Sequence, residues 1–414
     1  MKLAYIVSRF PKLSETFVVS EMIEQIALGA DIEIYPLQRH REGVVQGDVV
    51  QVMPRVHFSA LFSWKVVKAN LLCVVHQPRQ YCRVWWEVLS GTRSSPRSFT
   101  GALLFFPKSV LTAEQVKAAG IEHIHAHFAT HPALAALIIH YLTGIPFSFT
   151  AHGSDIYRDQ SMLRNKLDAC AFVVAISDYN RRFMMQKCGA DIGEKIRVVH
   201  CGVEPGDFDC PRTQAKDRVR ITCLGRIQKF KGHRWLVEAC ALLRERGVAF
   251  ECNIVGDGPE RARLESQIAR LKLNEVVHLH GACNHTRVRE LLAQSDIVVL
   301  ASVPLPNGAS EGIPVALMEG MAAGLPVIST NISGIPELIE HSKTGLLVPP
   351  RDPVALADAI RTLCLDSDAR ARLGEAGRAK VLSDFNLHVS AQQLSQLFSR
   401  ALEARPQSYT MAAD

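Results

Sequence analysis

No apolar run in the 414 residues reaches the eighteen or so needed to cross a bilayer, no two cysteines share a C-x-x-C spacing, and nothing repeats or falls into low complexity. The first absence excludes a transmembrane helix. The second, with Cys170, Cys223, Cys240 and Cys252 each alone in an apolar stretch, predicts reduced core residues rather than a disulfide framework. A signal peptide is missing too: "MKLAYIVSRF" enters a strand-like segment with no apolar core or small-residue cleavage site, so the chain is expected to stay in the cytoplasm. Helix-turn-helix, zinc-finger and RNP patterns are absent, which leaves no support for a nucleic-acid partner. The G-x-G at Gly256 to Gly258 continues as Pro-Glu and never completes G-x-G-x-x-G, which disfavours a dinucleotide oxidoreductase.

What is present is an ordinary globular composition, 48% hydrophobic and 21% charged, long enough for two domains. Strand-like runs alternate with helical patterns twice over. Runs near 3, 31, 123, 146, 172 and 196 form one α/β unit, and runs near 219, 250, 276, 296, 325 and 345 a second. A segment rich in Pro, Gly and charge separates them near 203–218. The expected division is 1–205, 206–385 and, for a last helical stretch packing back across the domains plus a disordered tail, 386–414. Two Rossmann-like domains in tandem set the carboxyl ends of two parallel sheets across a cleft.

The net charge of +6 is concentrated. Between 51 and 113 eight basic residues (Arg55, Lys65, Lys68, Arg79, Arg83, Arg93, Arg97 and Lys108) face one acid, Glu87. Trp64, Trp85 and Trp86, three of the four tryptophans, lie there with Phe58, Phe62, Tyr81, Phe99, Phe105 and Phe106. Such a mixture suits an anionic membrane surface or a lipid-linked anionic acceptor. Helices with an aromatic core face and solvated lysines read the same way.

In "SEGIPVALMEGMAAGLPVIST", residues 310 to 330, Pro314 and Gly324 bracket a helix of about 313 to 323. Glu311 then lies in the loop before it, and Glu319 falls inside among apolar neighbours, where an ionised carboxylate needs a partner. That helix start favours an anion, so the loop from Ser310 to Val315 is expected to face a phosphorylated ligand. Arg226 and Lys231 in "CLGRIQKFKG" sit on a strand-to-helix loop at the same sheet edge, where two fixed cations can hold a diphosphate.

"GR" at 225, "KG" at 231, "GDGP" at 256, "SDIVVLAS" at 295 and "EGIPVALME" at 311 resemble the second domain of retaining GT-B glycosyltransferases with an E-x7-E motif, glycosyltransferase family 4. The resemblance implies that Arg226 and Lys231 hold a donor diphosphate capped by the amides of Gly312, Ile313, Pro314 and Val315, proline supplying position but no amide. It places Gly256 and Gly258 at the donor, Glu319 on the ribose hydroxyls and Glu311 at the transferred sugar. In the first domain "SRFPKLSETFVVSEM", "HIHAHFATHPALAALI" and "FTAHGSDIY" resemble the bacterial exopolysaccharide subgroup, colanic acid glycosyltransferases included. His152 would then point into the cleft beside the donor sugar, with Asp155 orienting it or binding the acceptor. Where many relatives carry a glycine-rich loop, this chain has Ser14-Glu15-Thr16. Ser14 and Thr16 are candidates for the acceptor side or for capping a helix from about 17.

The implied activity is metal- and cofactor-independent transfer of a hexose, with UDP as the expected carrier, to an undecaprenyl-diphosphate oligosaccharide at the inner membrane face. A sugar-nucleotide epimerase on the same fold is the alternative. His123, His125 and His127, alternating onto one strand face, raise a metal-dependent hydrolase as a further one. Asp207-Phe208-Asp209 imitates a D-x-D metal clamp but falls in the linker.

Overall fold

The computed structural model describes residues 1–12, 15–40, 48–209 and 217–404. In the first half the elements are β1 (Lys2–Phe10), α1 (Thr16–Ala27), β2 (Asp31–Arg39), α2 (Val49–Val52), α3 (Trp64–His76), α4 (Pro78–Thr92) and α5 (Pro96–Ala118). They continue as β3 (His123–His127), α6 (His131–Thr143), β4 (Phe147–Ala151), α7 (Ser154–Tyr157), α8 (Leu163–Ala169), β5 (Phe172–Ala175), α9 (Asp178–Cys188) and β6 (Ile196–Val198). The second half has β7 (Val219–Leu224), α10 (His233–Glu245), β8 (Phe250–Val255), α11 (Arg261–Arg270), β9 (Val277–Gly281), α12 (His285–Ala293) and β10 (Ile297–Leu300). It ends with α13 (Val315–Ala322), β11 (Val327–Thr330), α14 (Ile335–Leu338), β12 (Leu346–Val348), α15 (Pro353–Leu365), α16 (Ser367–Asp384) and α17 (Leu387–Glu403).

Each half builds one six-stranded sheet, ordered β2-β1-β3-β4-β5-β6 and β12-β11-β10-β7-β8-β9. Every pairing in both is parallel. Parallel strands need crossovers and are covered on both faces, which is why they read as continuous apolar runs in the sequence. The second sheet has the dinucleotide-binding order, with its direction reversing between β7 and β10; the first reverses between β1 and β3. After β2 the chain makes the helices α2 to α5 before β3, and Val56 bridges in parallel to Ile34 at the β2 edge.

The first sheet is sandwiched. One face packs on a cluster that includes Val84, Phe106, Val110 and Leu137, the other on Val18, Val19 and Met22 of α1 with Leu394 and Phe398 of α17. So α17 leaves the second domain, whose core ends at Phe385, and returns to the first, with Val203 paired to Asn386 beside the crossing. The segment around 51–113 splits between core and surface. Trp85 and Tyr81 pack edge-on against Phe106, at 4.3 and 5.5 Å between ring centroids. Phe62, Trp64, Val75 and Trp86 are instead 84%, 74%, 73% and 75% exposed. Lys108 corrects the basic-surface count: it is buried, its ammonium donates to Pro36 O, Leu37 O and Ser59 O, and burial lowers its pKa to about 8. No helix of the described residues is long and apolar enough to cross a membrane. The tail from 405 lies outside the described residues.

Candidate functional site

Three loops converge where the second sheet reverses. They follow β7, β8 and β10, and their backbones touch. A Cβ on Gly256 would lie 2.2 Å from Gly225 O, and one on Gly258 would lie 2.4 Å from Ile227 O. Both positions therefore need glycine for close packing, and both brace the loop that carries Arg226 and Lys231. Arg226 is exposed and forms no ion pair among the described residues. Lys231 is largely buried and its Nζ lies 2.8 Å from Glu311 Oε2, an oxygen that also accepts from Ser302 Oγ at 3.3 Å.

Glu319 stands deeper, on α13. Its carboxylate accepts no hydrogen bond among the described residues, and desolvation pushes it up to about 7 while Lys231 pulls the other way. The partner that the sequence demanded for a buried glutamate is thus spent on Glu311, and Glu319 feels Lys231 only through space. The helix carrying it starts at Val315 rather than 313, because Pro314 keeps an extended backbone (φ −73°, ψ 120°) as the N-cap. Helix geometry leaves the first amides of α13 unpaired and directed at the cleft side of the loop.

That loop meets the first domain. Gly312 is packed so tightly that a Cβ would sit 2.2 Å from His152 O, and a Cβ on Gly153 would be 3.1 Å from Gly312. Ser154 Oγ donates to Ser310 O at 2.6 Å and accepts from Ser310 N at 3.1 Å. A second clasp joins α14 to α9: the Glu337 carboxylate accepts the amides of Asp178 and Tyr179, both at 2.8 Å, at a helix start where negative charge is favoured. Burial raises the pKa of Glu337, but His200 and these amides outweigh it and hold it below the ordinary value.

Asp155 serves the backbone. Its buried carboxylate accepts from Ala129 N at 2.8 Å, His152 N at 3.0 Å and Gly153 N at 2.7 Å, so it shapes the turn after β4. Burial drives its pKa up and those amides draw it back, with a net rise. His152 lies at the cleft floor with Phe17 and Phe128 at 5.0 and 4.6 Å from its ring centroid. Both of its nitrogens face partners inside the first domain, Nε2 to His127 Nδ1 at 3.2 Å and Nδ1 to Cys201 Sγ at 3.9 Å. It is the carbonyl oxygen of His152, rather than the ring, that faces Gly312.

The remaining candidates are placed as follows. Thr16 is the first residue of α1, whose N-cap Glu15 makes no side-chain cap bond, and Ser14 lies outside the described residues. His123, His125 and His127 are fully buried. Ser148 Oγ bridges His123 Nε2 and His125 Nδ1 at 2.7 and 2.8 Å, and His125 Nε2 reaches Thr150 Oγ1 at 2.9 Å, so His125 is a satisfied core histidine, while His123 Nδ1 is buried with no partner among the described residues. The carboxylates of Asp207 and Asp209 pair with Arg289 and Arg378. Sequence reasoning missed Glu337 and the links from Glu21 to His127 and from His127 to His152. Glu21 is an acid one turn from Val18 on the inward face of α1, a signal present but too common to single out.

The chain matches "Glycosyl transferases group 1" over residues 211–380 and "Glycosyltransferase Family 4" over 72–207. It is 31% identical to the amylovoran biosynthesis glycosyltransferase AmsK of Erwinia amylovora, over 97% of this chain and 100% of that one. It is also 31% identical to the putative colanic acid biosynthesis glycosyltransferase WcaL of Escherichia coli K12, over 96% of this chain and 99% of that one. Among solved structures, a glycosyltransferase from Rickettsia africae superposes with a TM-score of 0.70 at 20% identity, covering 97% of this chain and 99% of the other. The Anabaena protein Alr3699/HepE, solved in complex with UDP, gives 0.70 at 17% identity, covering 97% and 100%. These share the fold, two facing Rossmann-like domains in the GT-B arrangement.

Proposed function

Since this chain belongs to the group 1, family 4 glycosyltransferases, and its full-length relatives are exopolysaccharide enzymes, we propose that it moves a hexose with retention from a UDP-sugar to a lipid-linked oligosaccharide. The observation that carries this reading is the convergence of Lys231, Glu311 and Glu319 around the α13 start, across from His152 and Gly153, with Arg226 exposed on the loop that carries Lys231. Arg226 and Lys231 hold the diphosphate, Lys231 exchanging Glu311 for a phosphate oxygen. Glu319, whose carboxylate accepts no hydrogen bond among the described residues, accepts the ribose hydroxyls. Glu311 reaches the transferred sugar. UDP in the Anabaena relative favours uracil as the base.

Transfer proceeds on one face of the sugar. The bond from the anomeric carbon to the diphosphate oxygen breaks, the acceptor oxygen bonds that carbon from the same side, and the acceptor proton passes to the departing diphosphate. Arg226, Lys231 and the α13 amides stabilise the charge that develops on the leaving group. Closure of Gly312 onto His152 keeps water from the donor. The exposed Phe62, Trp64, Val75 and Trp86, beside Lys65, Lys68, Arg79 and Arg83, seat the first domain on an anionic membrane that presents the acceptor. This surface favours the transferase over an epimerase, which needs no acceptor.

The test is a thermal-shift and donor-hydrolysis screen against UDP-, GDP-, ADP- and dTDP-sugars without added metal, with Glu319→Ala alongside. Stabilisation by one nucleotide class that vanishes in the variant is expected; no response to any class refutes the donor site. Co-sedimentation with anionic vesicles should fall when Lys65, Lys68, Arg79 and Arg83 are neutralised, and unimpaired binding would remove the membrane from the reading.

A further inference from the structure

Five polar groups from five parts of the first domain form one hydrogen-bonded chain through His152. Tyr5 of β1 donates its hydroxyl to Glu21 Oε1 of α1 at 3.1 Å. His127 Nε2 of β3 lies 3.1 Å from the same oxygen, and its Nδ1 lies 3.2 Å from His152 Nε2 at the end of β4. Cys201, after β6, completes the chain with its sulfur 3.9 Å from His152 Nδ1. The rings are aligned as well, Tyr5 stacked on His127 at 5.6 Å and His127 on His152 at 5.4 Å.

Donor and acceptor chemistry fixes the protons along this chain. An ionised carboxylate only accepts, so His127 donates through Nε2. A neutral His127 then accepts at Nδ1, His152 donates through Nε2, and the Nδ1 of His152 is left to accept from the Cys201 thiol. The carboxylate thereby sets the tautomer of a histidine two bonds away. At its far side Glu21 borders a cavity of about 20 Å³ that it shares with Thr150, Cys201 and Ser390, room for one water to fill its remaining acceptor sites.

Ligand atoms of Glu21, His125 and His127 also lie within 4.8 Å of one another, close enough for a metal ion. Glu21 and His127 already bond each other and His125 bonds Ser148 and Thr150, and a metal would have to break these bonds, whereas the relay uses them as they stand.

We propose that Glu21 and His127 are positioning residues that hold His152 as the neutral, Nε2-protonated imidazole, so that the cleft floor stays uncharged where the sugar develops positive charge. The inference rests on the transferase reading for its purpose, though not for its geometry. A sugar that loses a diphosphate acquires oxocarbenium character, and a cationic ring beside it would oppose that charge. Burial holds the His152 pKa well below its ordinary value, in keeping with a neutral ring. Its carbonyl belongs to the peptide unit whose amide, Gly153 N, Asp155 fixes, and it packs against Gly312.

The test combines nitrogen-15 histidine spectra of the full chain with donor turnover, the His152 signals being identified by their loss in His152→Asn. Wild type is expected to show His152 protonated at Nε2. Glu21→Ala should give a mixture of tautomers and a kcat lower by about ten- to a hundred-fold, with KM for the donor within about two-fold. Glu21→Gln, whose amide oxygen still accepts from His127 and Tyr5, should restore both tautomer and kcat to within about three-fold. If Glu21→Ala fails to fold, His127→Gln supplies the same comparison. A wild-type His152 protonated at Nδ1, a Glu21→Gln variant as slow as Glu21→Ala, or a loss confined to KM would each overturn the proposal. Failure of the transferase reading appears separately, as the absence of nucleotide-sugar stabilisation in wild type with the tautomer unchanged.

Discussion

Replacing Glu319 by glutamine removes a carboxylate whose value rises from 4.5 to about 7 on folding, because burial outweighs the pull of Lys231. For an acid raised in this way, stability is full below 4.5 and is lost as pH climbs towards 7, since the unfolded chain gives up its proton first. At about 1.4 kcal/mol per tenfold change in proton affinity, the ionised group costs the native state about 3 kcal/mol at pH 8 and about 1 kcal/mol at pH 5. Glutamine carries no such penalty. Its buried amide has a cost of its own, but that cost is the same at both pH values, so the pH dependence of the difference isolates the charge. Denaturant unfolding at pH 5 and pH 8 measures it. Fluorine-labelled Trp235, the one tryptophan outside the first domain, reports the second domain by itself and avoids a two-state assumption across both. Glu319→Gln should gain on wild type by about 2 kcal/mol more at pH 8 than at pH 5, while losing stabilisation by nucleotide. An equal difference at both pH values would mean that Glu319 is ionised without cost, and the desolvation argument would fall.

Gly312→Ala places a methyl carbon 2.2 Å from His152 O, and backbone cannot yield that far; transfer should drop at least about a hundred-fold with the domains held apart, seen as a larger radius of gyration in X-ray scattering. Lys231→Met strands Glu311 and removes the proposed diphosphate ligand, which should weaken nucleotide binding by about 2–3 kcal/mol in calorimetry. Glu337→Gln keeps the shape of the clasp on α9 but loses its charge, and should raise the donor KM by several-fold through about 1 kcal/mol lost from the closed form. An unchanged KM in that variant would show that Gly312 and Ser154 hold the domains together without it.

All twelve strands were legible in the chain, as was their distribution over two α/β domains. A parallel strand buried on both faces writes an apolar run into the sequence, and its position in the alternating order fixes which edge the next loop occupies. Arg226, Lys231 and Glu311 could therefore be assigned to one sheet edge before any contact was known. The partnerships at that edge could not. Glu311 takes Lys231 from 80 residues away, leaving Glu319 without a hydrogen-bond partner among the described residues, and Asp155 turns to three amides of which one, Ala129, lies on another loop. His152 looked like a side chain aimed into the cleft, yet its ring is drawn to His127 and Cys201 while its carbonyl meets the second domain. Lys108 reads as surface charge and is a buried brace for β2. Local pattern reports which face of an element is apolar; it carries no record of which polar groups from distant segments will satisfy each other once water is excluded. That choice is made by the tertiary structure, because a buried charge or amide takes the nearest partner the packing of the whole chain supplies.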